Sequence, residues 1–143
     1  MSQNLLAKHQ IAVFYEDPNL LVLSKPPGLL SQGEKTGDIN LVDILREYFG
    51  RHYVGLIHRL DRNTSGLMVV AKRSKSAERL SEGLKSGELK RGYQAWLHGT
   101  LKVGLSSKWE DKILKDEKTN VSKVVRQHPS AKSAILNFKV VKN

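Results

Sequence analysis

The stretch from Gly55 to Lys72 reads GLIHRLDRNTSGLMVVAK. Two apolar runs, Val54 to Ile57 and Leu67 to Ala71, enclose a polar island of His58, Arg59, Asp61, Arg62, Asn63, Thr64, Ser65 and Gly66. Short apolar runs bounded by turn residues are buried-strand candidates, and a strand–loop–strand of this kind carries polar side chains to the mouth of a core. Asp61 stands beside Arg59 and Arg62, company that suits an ionised carboxylate acting as a nucleophile more than a general acid. The same residues also allow a plain ion pair between Asp61 and Arg59, with Thr64-Ser65-Gly66 only turning the chain.

Upstream, Ile11 to Tyr15 and Leu20 to Ser24 are β-rich runs joined by the turn signal Glu16-Asp17-Pro18-Asn19, so they read as a hairpin. Lys25-Pro26-Pro27-Gly28 ends the second strand, because proline cannot donate to a ladder. Ser31 to Asp38 is a polar loop. Leu41, Ile44, Leu45, Tyr48 and Phe49 recur at helical spacing, with Asn40 placed to cap the helix and Gly50 to end it. Downstream, Ser74 is placed to cap a second helix through Ala77, Leu80 and Leu84 to Gly87. Tyr93 to Leu97, Lys108 to Leu114, Val121 to Arg126 and Ala134 to Val141 are further strand expectations. Strands and helices mix without βαβ alternation. That predicts an α+β domain on a mixed, mostly antiparallel sheet with flanking helices. Residues 1–10 read as a polar N-terminal tail and residues 11–143 as one domain.

A length of 143 residues fits one core. The absence of cysteine excludes a disulfide framework and a thiolate metal site. His9, His52, His98 and His128 show no metal-binding spacing, so no metal is expected. No apolar run is long enough for a signal peptide or membrane span, which predicts a cytoplasmic protein without a membrane partner. The formal net charge of +10 favours a polyanionic partner, although a solvated lysine-rich surface gives the same number. The lysines are spread along the chain rather than along one amphipathic helix, so a membrane surface fits less well.

His58-Arg59-Leu60-Asp61, followed by Thr64-Ser65-Gly66-Leu67 and Val70-Ala71-Lys72, resembles the catalytic motif of the RluA-type RNA pseudouridine synthases. Tyr15-Glu16-Asp17 through Leu21-Val22-Leu23 to Lys25-Pro26-Pro27-Gly28 is similar to that family's opening motif, and Lys90-Arg91-Gly92-Tyr93-Gln94-Ala95 with Leu97-His98-Gly99 to its third block. The three blocks stand in family order. The resemblance implies a pseudouridine synthase-like catalytic domain over 11–143 that isomerises uridine in ribosomal or transfer RNA. The glycosidic bond is broken, the base turns, and its carbon 5 is rejoined to the ribose, with no cofactor because the product is an isomer.

By the same resemblance Asp61 is the essential carboxylate, attacking the anomeric carbon or removing the 2′ proton. Arg59 enters the space a flipped base vacates or holds that nucleotide. Tyr93 stacks on the target base and assists proton transfer at carbon 5. Lys25, Arg62, Thr64, Lys72, Lys90 and Arg91 are candidates for RNA contacts. His58 lies beside the RNA in a packing or hydrogen-bonding role. The family's last block, G-R-x-H-Q-[IL]-R-x-H, has no match after Ala131 to Val141, so the domain is expected to be C-terminally incomplete, with Asp61 lacking its basic partner. An RNA-binding chain without turnover is therefore the second reading. A hydrolase would need two cooperating carboxyl groups, and neither Asp17 nor Asp38 is spaced persuasively.

Overall fold

Leu20 to Lys25 alternates between half-buried and fully buried side chains, as a strand with one face on a core must. The structure is a computed structural model that describes residues 2–34, 37–119 and 121–142. Residues 35 and 36 of the expected loop lie outside them. The chain divides into two compact units, Met1–Gly92 and Tyr93–Asn143. The expected domain over 11–143 thus contains a division, and its cause is that the later strands make a sheet of their own.

The N-terminal stretch 1–10 is not a tail. Ser2–Lys8 is a helix, α1. At its end the N–H of Gln10 donates to Ala7 O and that of Ile11 to Leu6 O, each at 2.9 Å, with Gln10 in the left-handed region at φ 57. This motif folds Ile11 back over Leu6, and both side chains are buried in the core. One buried leucine and the residue after the helix hold the segment, too few apolar positions to show a period in the sequence.

Ala12–Glu16 (β1) and Leu20–Lys25 (β2) form the expected hairpin, with a register shift between Val13 and Tyr15. Asp17 holds its turn, Oδ1 accepting from the backbone N–H of Asn19 at 2.7 Å and of Leu20 at 2.6 Å. Leu41–Phe49 (α2) is capped as expected: Asn40 Oδ1 accepts from Asp43 N–H at 3.2 Å, and Gly50 takes the left-handed end position. Gly55–Leu56 (β3) and Gly66–Ala71 (β4) complete a four-stranded antiparallel sheet in the order β1-β2-β4-β3. Leu21, Leu23, Met68 and Val70 of this sheet share a core with Leu41, Ile44 and Leu45 of α2. Ser74–Ser86 (α3) follows; Ser74 is its first residue rather than its cap, and Arg73 holds the cap position without a side-chain bond.

A polar cluster ties the end of β1 to α2 and to the residue after β4. Glu16 accepts from Tyr48 Oη and Lys72 Nζ, each at 2.7 Å, and Lys72 lies 5.3 Å from the centre of the Phe49 ring. Burial works to raise the Glu16 pKa, but the bonds from Lys72 and Tyr48 outweigh it and hold the carboxyl below its ordinary value. The bond to Glu16, helped by burial, pushes Tyr48 up to about 12.

The second unit contains Ser106–Asp116 (β5), Val121–Val125 (β6) and Lys132–Lys139 (β7), antiparallel in the order β6-β5-β7. Trp109 and Phe138 meet with ring centroids 4.5 Å apart, yet no described residue of this unit is buried. Tyr93 to Leu97 is not a strand, a correction with a simple cause: none of the described strands pairs with it, and aromatic residues extend a chain into a sheet only beside a neighbour. Among the described residues no helix is long and apolar enough to cross a membrane.

Leu6→Ala is expected to cost about 2–5 kcal/mol, read from urea denaturation. An unchanged midpoint would return residues 2–8 to the status of a tail. Because the folded Tyr48 pKa is raised, its bond to Glu16 contributes fully below the ordinary tyrosine value of 10.0 and is lost as pH rises toward about 12. Ultraviolet titration of the folded protein should show a phenol ionising near 12 that Tyr48→Phe lacks.

Candidate active site

Between β3 and β4 the chain leaves the sheet, and its backbone is pinned on both sides of Asp61. Before it, the buried Ser31 hydroxyl donates to Leu60 O at 2.6 Å and accepts from Leu60 N–H at 3.1 Å. A hydroxyl has the one proton and free lone pairs this double role needs. After it, Arg62 O accepts from Gly28 N–H at 2.8 Å and from Lys25 Nζ at 3.2 Å. Thr64 N–H donates to Asp61 O at 3.1 Å and closes a turn. Asp61 itself is exposed, so its carboxylate faces solvent from a fixed backbone.

Lys25 lies beneath. It continues the inward row of Leu21 and Leu23 on β2, directly across from Gly66 on β4, and is fully buried. Its ammonium donates to Leu29 O at 2.7 Å, Pro26 O at 3.0 Å and Arg62 O at 3.2 Å, which uses all three protons. Burial lowers its pKa below the ordinary lysine value, and the negative charge of Asp61 acts in the opposite direction.

Several expectations change here. Lys25, expected at the RNA, is buried with every proton of its ammonium engaged by a carbonyl. Lys72 is engaged by Glu16, and its side chain is only 13% exposed, so it is a structural cation. The ion pairs among the described residues include none between Asp61 and either arginine; Arg62 pairs with Asp38, and Arg59 is exposed. The titratable group on which the charge of Asp61 acts is Lys25.

His58 is turned into the protein, where Nε2 accepts the N–H of Val69 at 3.3 Å and Nδ1 is buried. Burial and, secondarily, the charge of Arg91 hold its pKa below the ordinary histidine value. The hydrogen bond that His58 makes is internal. Thr64 is half-buried, while Lys90 and Arg91 are exposed near the end of the first unit. Tyr93 is exposed and opens the second unit. Asp61, Arg62, Thr64 and Lys25 thus form one cluster, and sequence reasoning missed Ser31 and Gly28 as parts of it. No group of three or more His, Cys, Asp or Glu side chains among the described residues could hold a metal ion.

The family model described as RNA pseudouridylate synthase matches residues 19–143. The ribosomal large subunit pseudouridine synthase C of Buchnera aphidicola subsp. Baizongia pistaciae is 34% identical over 133 residues, covering 91% of this chain and 41% of the relative. The synthase of the same name from Vibrio vulnificus is 33% identical over 141 residues, covering 96% and 43%. Among solved structures, human RNA pseudouridylate synthase domain containing 1 superposes with a TM-score of 0.71 at 19% identity, over 90% of this chain and 51% of that one. Human RNA pseudouridylate synthase domain containing 4 does so with a TM-score of 0.60 at 20% identity, over 94% and 53%. These likenesses speak to the fold. The chain spans less than half the length of these curated relatives.

Lys25→Met would take its donor from the carbonyls of Pro26 and Leu29 and leave Arg62 O only the Gly28 N–H. It is expected to cost about 3 kcal/mol or more in urea denaturation, where a solvated surface lysine would change stability by less than about 0.5 kcal/mol.

Proposed function

The chain belongs to the RNA pseudouridylate synthase family, and on that premise we propose that it isomerises uridine to pseudouridine in structured RNA, with Asp61 as the essential carboxylate. The observation that carries this reading is the exposed Asp61 on a backbone pinned at Leu60 by Ser31 and at Arg62 by Lys25 and Gly28. Both chemical routes need such a carboxylate. In one, Asp61 attacks the anomeric carbon as the bond to uracil N1 breaks. In the other it takes the 2′ proton and leaves a glycal. Either way the freed base turns and carbon 5 bonds to the anomeric carbon. As it does so, the ester to Asp61 breaks in the first route or carbon 2′ regains its proton in the second, and the proton on carbon 5 is lost while N1 takes one up. A fixed backbone lowers the cost of aiming the carboxylate.

The uridine must leave its stack, at a cost of a few kcal/mol that protein contacts offset. Arg59 is exposed two residues before Asp61, without an ion-pair partner among the described residues, and is our candidate for the vacated space. Tyr93 is the candidate for stacking on the base, and Arg62, Thr64, Lys90 and Arg91 for contacts to the RNA backbone. Ribosomal RNA is the substrate class that the relatives' names carry, and transfer RNA is the alternative. Loops fit best, since their bases are already accessible. An isomerisation needs no redox or nucleotide cofactor, and such substrates imply a cytoplasmic site of action. The second reading, RNA binding without turnover, is favoured by the net charge of +10.

The test is the pseudouridine content of an unmodified large-subunit ribosomal transcript after incubation with the chain or with Asp61→Asn. Wild type is expected to form product and the variant to lose about a thousandfold or more in rate, with similar RNA affinity and an unchanged fold. Equal conversion by both would remove Asp61 from the mechanism. Salt-sensitive binding with no product from wild type would select the second reading.

A further inference from the structure

β4 has β2 on one side and the two-residue β3 on the other. Lys72, just past its end, donates its backbone N–H toward the β2 side, to Asn19 O at 2.7 Å. Backbone donors of an antiparallel strand alternate between its two neighbours, so those of Ala71 and Val69 face β3. Ala71 lies opposite Gly55, but β3 ends at Leu56, and Val69 N–H is the first donor with no strand left to receive it. His58 Nε2 takes it at 3.3 Å. A side chain stands in for the missing carbonyl.

We propose that His58 is the positioning residue that ends the sheet beside Asp61: by accepting the Val69 N–H it lets the chain leave the ladder after Leu56 and carry Asp61 outward. Its effect on turnover rests on the synthase reading; its geometry does not. The role dictates the state of the ring. Nε2 must keep its lone pair, so the neutral imidazole carries its proton on Nδ1. Nδ1 is buried with no partner among the described residues, an unmet donor that a purely space-filling side chain would avoid. Burial and the charge of Arg91 both keep the ring neutral, which preserves the acceptor.

Nitrogen-15 NMR of the His58 ring in the intact chain tests the first claim: a proton on Nδ1 is expected, and a proton on Nε2 overturns it. Two amides then divide the ring by atom. His58→Gln puts an oxygen where Nε2 was, whereas His58→Asn reaches only the place of Nδ1. In His58→Asn the Val69 amide, and the Thr64 amide that closes the Asp61 turn, are expected to exchange hydrogen about tenfold faster, while Met68 and Val70 on the β2 side stay protected. His58→Gln should restore both. In turnover, His58→Asn should lower kcat about tenfold or more with KM for RNA nearly unchanged, and His58→Gln should recover most of it. Equal Val69 exchange in all three proteins, or recovery by Asn rather than Gln, overturns the proposal. A wild-type chain that forms no pseudouridine refutes the synthase reading instead, and the ring proton and the two amides still decide the place of His58.

Discussion

The ammonium of Lys25 is the point on which the active-site geometry rests. Removing a charge from water costs several kcal/mol, and a protein tolerates it only where the charge is paired and every proton is engaged. Lys25 has every proton engaged by the carbonyls of Pro26, Leu29 and Arg62, and the negative charge of Asp61 acts to keep it charged. Pro26 and Pro27 stop β2, so the backbone turns and presents carbonyls to the strand's own last side chain. Gly66 across the ladder, at φ 144, has a backbone conformation that a side-chain-bearing residue rarely adopts. One buried cation therefore joins the end of a strand to a loop distant in sequence.

The recognisable stretch also begins under a steric constraint. A Cβ on Gly55 would lie 2.9 Å from the Tyr53 hydroxyl and 3.0 Å from Ala71 Cβ, so β3 can approach β4 only with glycine there. Close approach, early departure of the strand after Leu56 and the His58 bond to Val69 follow one another between Gly55 and His58. The second unit contrasts with this. Its strands carry Trp109, Val124, Ile135 and Leu136 at exposed positions, so backbone pairing rather than a buried face defines it.

Much of this was legible because it was local. The hairpin followed from Asp17-Pro18, α2 from its spacing, Asn40 and Gly50, and β4 from an apolar run. Even Lys25 had a signal, since Leu21, Leu23 and Lys25 at period two share an inward face; general preference for exposed lysine concealed it. The reciprocal bonds of Ser31 with Leu60 span 29 residues and leave no periodic trace. Adjacency in sequence also misled: Arg59 and Arg62 stand nearest Asp61 along the chain, yet Arg62 pairs with Asp38, and the group that feels the charge of Asp61 is Lys25 on β2. Helix α1 was hidden for the opposite reason, as its anchor lies outside it at Ile11.

The groups that receive the Lys25 ammonium are all main-chain carbonyls. Such oxygens exist whatever side chain occupies positions 29 and 62, and only the course of the backbone has to be kept. Aim and recognition are therefore separable in this site. Side chains around the carboxylate can be exchanged while its backbone stays where it was, so under the proposed function the loop is a favourable place to acquire a different target.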